Sequence, residues 1–113
     1  MKLRLCRLEE LPERGTRGFD LGPDADPREI FLYRDGRRVF AYENSCPHLG
    51  SPLEFTADRF LAPDGQHFLC STHGALFRLE DGHCVAGPCQ GQALAQLAVE
   101  VDDEDRVLLV GED

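Results

Sequence analysis

The sequence contains no tryptophan and no excess of basic side chains: 12 Lys and Arg stand against 21 Asp and Glu, a net charge of −9 over 113 residues. Without a basic face there is nothing to bind phosphate, so nucleic acid is excluded as a natural partner. No apolar run approaches the ~20 residues that a membrane span requires. Met1-Lys2-Leu3-Arg4-Leu5 is alternating and charged rather than the apolar run of a signal peptide, so the expected location is the cytoplasm and not a membrane. There is no internal repeat, no low-complexity tract and no convincing amphipathic helix. Five cysteines are an odd number, which excludes a complete disulfide framework; with no export signal, metal binding explains them better. The length fits one domain, residues 1–113, which buries somewhat more than ~60% of its unfolded surface.

What is present is a series of short alternating stretches. Residues 2–8 read as a strand, and 9–28 read as loop with one short strand near Phe19-Leu21. Residues 29–34 and 37–43 flank Asp35-Gly36, the favoured two-residue hairpin turn. Residues 54–63 read as irregular. Asp64-Gly65 is a turn before a strand at 66–69, and Asp81-Gly82 separates strands at 76–79 and 83–85. A strand over 93–101, a turn at Asp103-Glu104-Asp105 and a strand at 106–110 close the chain. The pattern predicts an all-β fold, a sandwich or small barrel of short antiparallel strands.

Two stretches carry the chemistry: Cys46-Pro47-His48-Leu49-Gly50 and Cys70-Ser71-Thr72-His73-Gly74, each at the exit of a predicted strand. Thiolate and imidazole together suit zinc, copper or iron–sulfur chemistry rather than magnesium or calcium. Structural zinc fingers keep their cysteines together and their histidines together. Here each loop mixes the two types, which suits a cluster with two unlike irons. With Phe77, Gly82, Gly87-Pro88 and Leu94 following in order, the chain resembles the Rieske-type ferredoxins.

The resemblance implies one [2Fe–2S] cluster per chain, within a cluster-binding part at about 44–90. Cys46 and Cys70 would hold a buried iron, and His48 and His73 an outer one. Gly87-Pro88 would form a covering loop, and Leu53, Phe68, Leu69 and Phe77 would enclose the thiolates. The function implied is a soluble electron carrier with no catalysis of its own. It would pass single electrons from a flavin-dependent NAD(P)H reductase to a terminal oxygenase. Two alternatives stay open: a small subunit of a nitrite-reductase-like complex, and a structural zinc-binding interaction module with no redox role.

Two features depart from the respiratory branch of that family. Where that branch joins its two loops by a disulfide, this chain has Ser51 and Thr72. Where that branch has a Ser and a Tyr that hydrogen-bond to the cluster or its ligand, this chain has Ala75 and Phe77. Losing those donors predicts a potential in the lower part of the ~−150 to +300 mV range. Outside the motif, Cys6 reads as a small buried hydrophobe, while His67 and His83 read as packing or surface residues. Cys84 and Cys89 bracket the covering loop, either as packing thiols or as a disulfide. The acidic run from Glu100 to Asp105, with Glu112 and Asp113, reads as a solvated end or as a steering surface for a basic partner.

Overall fold

The computed structural model describes residues 2–25, 27–47, 52–53, 58–71 and 74–110. Among the described residues, ten strands form three antiparallel sheets. The first sheet runs β1 (Lys2–Arg7), β10 (Arg106–Val110), β9 (Val99–Val101). The second runs β2 (Thr16–Asp20), β3 (Glu29–Asp35), β4 (Arg38–Glu43), β8 (Gln96–Leu97). The third runs β5 (His67–Leu69), β6 (Leu76–Arg78), β7 (Cys84–Ala86). One 3-10 turn, Leu8–Glu10, follows β1. The all-β expectation holds.

The β3–β4 hairpin forms where the sequence placed it, with its turn one residue later. Asp35 pairs with Arg38, so Gly36 and Arg37 are the central residues. Gly36 alone of the two takes positive φ, at 65°, which is the requirement of a turn with Gly in first position.

Two expectations need correction. The stretch read as mostly loop holds a five-residue strand, Thr16–Asp20, paired throughout with β3. Local composition hid it because the strand is made by tertiary contacts: Thr16 Oγ1 donates to Asp58 O at 2.6 Å, and the Gly18 N–H to Asp58 Oδ1 at 2.8 Å. The single strand expected over 93–101 is two. β8 pairs with β4 and β9 with β10, and the chain changes sheet at Ala98, whose carbonyl accepts from the Val110 N–H.

The core has two parts. One draws on both the first and second sheets and contains Cys6, Leu8, Leu11, Ile30, Leu32, Ala41 and Val107. Cys6 is therefore the small buried hydrophobe expected of it, and burial pushes its thiol pKa up. The other is aromatic. Phe31 stacks on Phe60 at 4.3 Å, and Phe68 meets Phe31, Tyr33 and Tyr42 edge-on at 5.0, 5.8 and 5.2 Å. Phe68, Phe77, Cys46, Cys70, Cys84 and Cys89 all belong to this second part.

Candidate metal centre

Cys46 follows β4 after two residues, and Cys70 follows β5 directly. Both side chains are fully buried, in one apolar cluster with Leu53, Phe68, Ala75 and Phe77. Leu69, expected beside them, is only half-buried. The reason is strand alternation: Phe68 points into the core, so its neighbours His67 and Leu69 face the other way. His48 and His73, the expected imidazole ligands, lie outside the described residues, as do Gly50, Ser51 and Thr72.

Three sets of contacts shape the two cysteine loops, and one of them joins the pair. First, the Asn44 carboxamide oxygen accepts from the Leu53 N–H at 2.9 Å, closing the base of the Cys46 loop. Second, the Ser71 N–H donates to Leu53 O at 2.8 Å, joining one loop to the other by backbone alone. Third, the Cys70 loop closes on itself: Cys70 N–H donates to Ala75 O at 2.9 Å, and Gly74 N–H to Cys70 O at 2.7 Å. Gly74 has φ 73°, a left-handed bend that glycine adopts without a Cβ penalty.

The loop after β7 packs onto this arrangement. Gly87 has φ 96° and lies so close to Ala75 that a Cβ on it would stand 2.7 Å from the Ala75 Cα. The chain then turns back, with Gln92 N–H donating to Cys89 O and Cys84 N–H to Gln92 O, both at 2.9 Å. Pro88, Gln90 and Gly91 are exposed, whereas Cys89 is buried. No disulfide links any of the five cysteines. The Cys84 thiol donates to Ala86 O at 3.2 Å. Burial pushes the Cys89 thiol up to about 12, and the adjacent Cys84 and Cys46 sulfurs add to the shift by hydrogen bonding and charge.

The sequence pattern set Cys84 and Cys89 apart from Cys46 and Cys70; the fold puts all four in one buried cluster. It also passed over Asn44. The available clue was an Asn between a strand end and a Cys-Pro turn, a position where its side chain favours capping a backbone N–H. His67 pairs with Asp64, Nδ1 to Oδ2 at 2.9 Å, and His83 is exposed; both keep the packing and surface roles expected of them.

The acidic run is locally compensated. Asp102 binds Arg106 at 2.7 Å and caps the Glu104 and Arg106 N–H groups; Glu100 meets Lys2 at 3.0 Å, and Asp105 pairs with Arg37. The Glu100 and Asp102 contacts belong to the β1–β10–β9 sheet, whereas Asp105 reaches Arg37 in the turn before β4, the strand that leads to Cys46.

Two buried sulfurs delivered by separate loops, in an apolar and water-poor setting, are a donor set suited to an iron–sulfur cluster. Residues 1–110 match the family described as "Rieske [2Fe-2S] domain". The Rieske iron–sulfur subunit of the Streptomyces lividans cytochrome bc1 complex is 34% identical over 95 residues, covering 81% of this chain. That match spans only 51% of the relative's length. The ferredoxin of carbazole 1,9a-dioxygenase from Nocardioides aromaticivorans IC177 superposes with a TM-score of 0.76 at 24% identity, over 99% of each chain. A chain in the complex of reduced oxygenase and oxidized ferredoxin of carbazole 1,9a-dioxygenase gives 0.75 at 25% identity, over 99% of this chain and 94% of that one. No helix among the described residues is long and apolar enough to cross a membrane. The match over nearly the whole chain, together with the paired cysteine loops, places this protein in the Rieske [2Fe-2S] family.

Proposed function

We propose that the chain is a one-electron carrier in which Cys46 and Cys70 ligate one iron, and His48 and His73 the other. The observation that carries this is the burial of both cysteines in one cluster, with their loops tied by the Ser71–Leu53 hydrogen bond. When bound, the cluster supplies one-electron redox chemistry at iron. The protein's own part is to keep two thiolates dry, to fix two loops on short strands and to change shape little between oxidation states. Ala75 and Phe77 are both fully buried in the same cluster and carry no donor, which supports a potential in the lower part of the Rieske range.

The partners proposed are a flavin-dependent NAD(P)H reductase as donor and a terminal oxygenase as acceptor, in the cytoplasm. Support for the oxygenase comes from the likeness to the ferredoxin of carbazole 1,9a-dioxygenase and to a chain in the complex of that ferredoxin with its oxygenase. Purified protein should be red-brown, hold two irons and two sulfides per chain, and be reducible by one electron. A Cys70→Ala variant should lose that iron and sulfide. Full retention in Cys70→Ala would end the ligand assignment, and a colourless protein loaded with zinc would replace electron transfer by a structural role.

A further inference from the structure

We propose that the cleft between the β3–β4 hairpin and the far end of the β5–β6 pair binds a small planar carboxylate, held by the Tyr33 hydroxyl and the Arg14 guanidinium. The proposal rests on none of the ligand assignments above.

The cleft follows from strand register. Tyr33 pairs with Phe40, and Asp35 with Arg38, so alternation puts these four side chains on one face of the hairpin. Across the cleft from that face lie Gly65-Gln66, just before β5, and Leu79-Glu80, just after β6. Cys70 follows β5 and Ala75 precedes β6, so the cleft opens at the end of the third sheet away from the cysteine loops. Its volume is about 180 Å³, below the ~300–1,000 Å³ of sites for drug-sized molecules, so it admits only a small ligand.

The observation that points to a ligand is Tyr33. This cleft residue is only 5% exposed, yet among the described residues its hydroxyl has no hydrogen-bond partner. The fully buried Tyr42, by contrast, donates to Leu79 O at 2.7 Å. A buried phenol left without a partner is costly, and a bound acceptor would remove that cost. Burial pushes the Tyr33 pKa up, so the hydroxyl stays a donor at neutral pH. The charged groups around it are Asp35, Arg14, Glu13 and Arg38. Glu13 accepts from the Gly36 N–H at 2.8 Å and meets Arg34 at 3.4 Å. Asp35 meets Arg38 at 3.5 Å, and the Arg38 guanidinium also lies 5.2 Å from the Phe40 ring centre. Arg14 forms no hydrogen bond or ion pair among the described residues. The turn before β2 brings it to the cleft: Gly15 O accepts from the Arg34 N–H at 3.1 Å, and Thr16 pairs with Tyr33. A phenol donor and an unengaged guanidinium on one cleft suit an anion's oxygens.

The walls select which anion. Asp35 and Glu80 line the same cleft and oppose a doubly charged ligand such as phosphate. Phe40 and Leu79, partly buried against the aromatic core, favour a flat apolar body. A planar monoanion such as benzoate meets both conditions.

The test is calorimetric titration of the holoprotein with sodium benzoate at fixed ionic strength, with sodium acetate and inorganic phosphate as comparison probes. The parent should bind benzoate saturably, and more tightly than acetate or phosphate. Tyr33→Phe keeps the ring and should weaken benzoate about tenfold or more, the loss of one hydrogen bond to a charged group. Arg14→Gln should weaken it about twofold to fivefold, because Arg14 is exposed. Arg59→Gln, which removes an exposed arginine outside the cleft, should leave it unchanged. Absence of saturable benzoate binding overturns the proposal. Parent affinity in Tyr33→Phe or Arg14→Gln also overturns it, as does an equal loss in Arg14→Gln and Arg59→Gln, or phosphate bound more tightly than benzoate. Should Tyr33→Phe fail to fold, Arg14→Gln against Arg59→Gln decides by the same criteria. Iron and sulfide content bears on the cluster assignment alone, so the two failures are told apart.

Discussion

Alanine at position 87 would place a Cβ 2.7 Å from the Ala75 Cα and 3.2 Å from both its Cβ and its nitrogen, on a residue at φ 96°. Two penalties combine. A left-handed φ costs a non-glycine residue about 1–2 kcal/mol. Forcing an atom against packed backbone adds about 1–3 kcal/mol. Together the loss is about 2–5 kcal/mol. Unfolding entropy is ~2.1 cal/mol/K per residue, so for 113 residues each kcal/mol shifts the midpoint by ~4 °C. Gly87→Ala should then lower Tm by about 8–20 °C by these increments. Gly36→Ala is the control: it shares the positive φ, at 65°, but nothing lies within 4 Å of its Cβ. It should lose only about 4–8 °C. The assay is thermal unfolding of the holoproteins, following far-UV circular dichroism and visible cluster absorbance together. Because Ala75 sits in the Cys70 loop, Gly87→Ala should also bleach earlier. Equal Tm losses in the two variants would show that the crowding at Ala75 is not felt, and the covering-loop argument would fall with it.

Three further outcomes follow from the same geometry. Phe77→Tyr puts a hydroxyl into the buried cluster that holds Cys46 and Cys70; a hydrogen bond to a charged sulfur of about 1.5–3 kcal/mol would raise the midpoint by ~60–130 mV, and an unchanged or lower value with full iron content would refute the role given to that position. Asp81 is held down to about 2, first by Arg78 and then by the His83 N–H, against an ordinary value of 3.8. A depressed carboxylate stabilises the fold above its unfolded pKa and loses that contribution as pH falls towards about 2. Denaturation midpoints of the parent and Asp81→Asn should therefore converge on acidification across that window; parallel curves would rule the contribution out. A thiol count after denaturation and metal removal should give five alkylated cysteines, whereas three would place a disulfide at Cys84–Cys89.

Much of the architecture could be read from local pattern, and what could not was made by distant contacts. The β3–β4 hairpin, β5 before Cys70 and the β6–β7 pair follow from alternation and Asp-Gly turns. The one-residue displacement of the first turn arose because Asp35 pairs as a strand residue with Arg38. β2 was hidden because its stability comes from Asp58, forty residues on from Gly18. The split between β8 and β9 depends on which strands lie alongside, β4 for one and β10 for the other. At the site, the motif pointed to Cys46 and Cys70 and to the loop beyond Gly87. It could not say that Cys89 shares a buried cluster with Cys46, because spacing along the chain does not tell which loop folds over which.

The absence of cysteine at positions 51 and 72 raises the question of what holds the two loops in register. The hydrogen bond from the Ser71 N–H to Leu53 O lies within two residues of both positions. It is made by backbone atoms, so it needs no oxidant and survives a reducing compartment. One neutral hydrogen bond contributes only about 0.5–1.5 kcal/mol, less than the 2–4 kcal/mol typical of a disulfide. The difference must be met by contacts that surround it. Leu53 is fully buried and has its own N–H held by Asn44, and Ala75 is covered by Gly87. Each contact alone is weak, but all of them depend on the same two loops standing together, so removing any one loosens the others. The cluster, bound by ligands from both loops, would then close this set, and folding and metal binding would be one event rather than two.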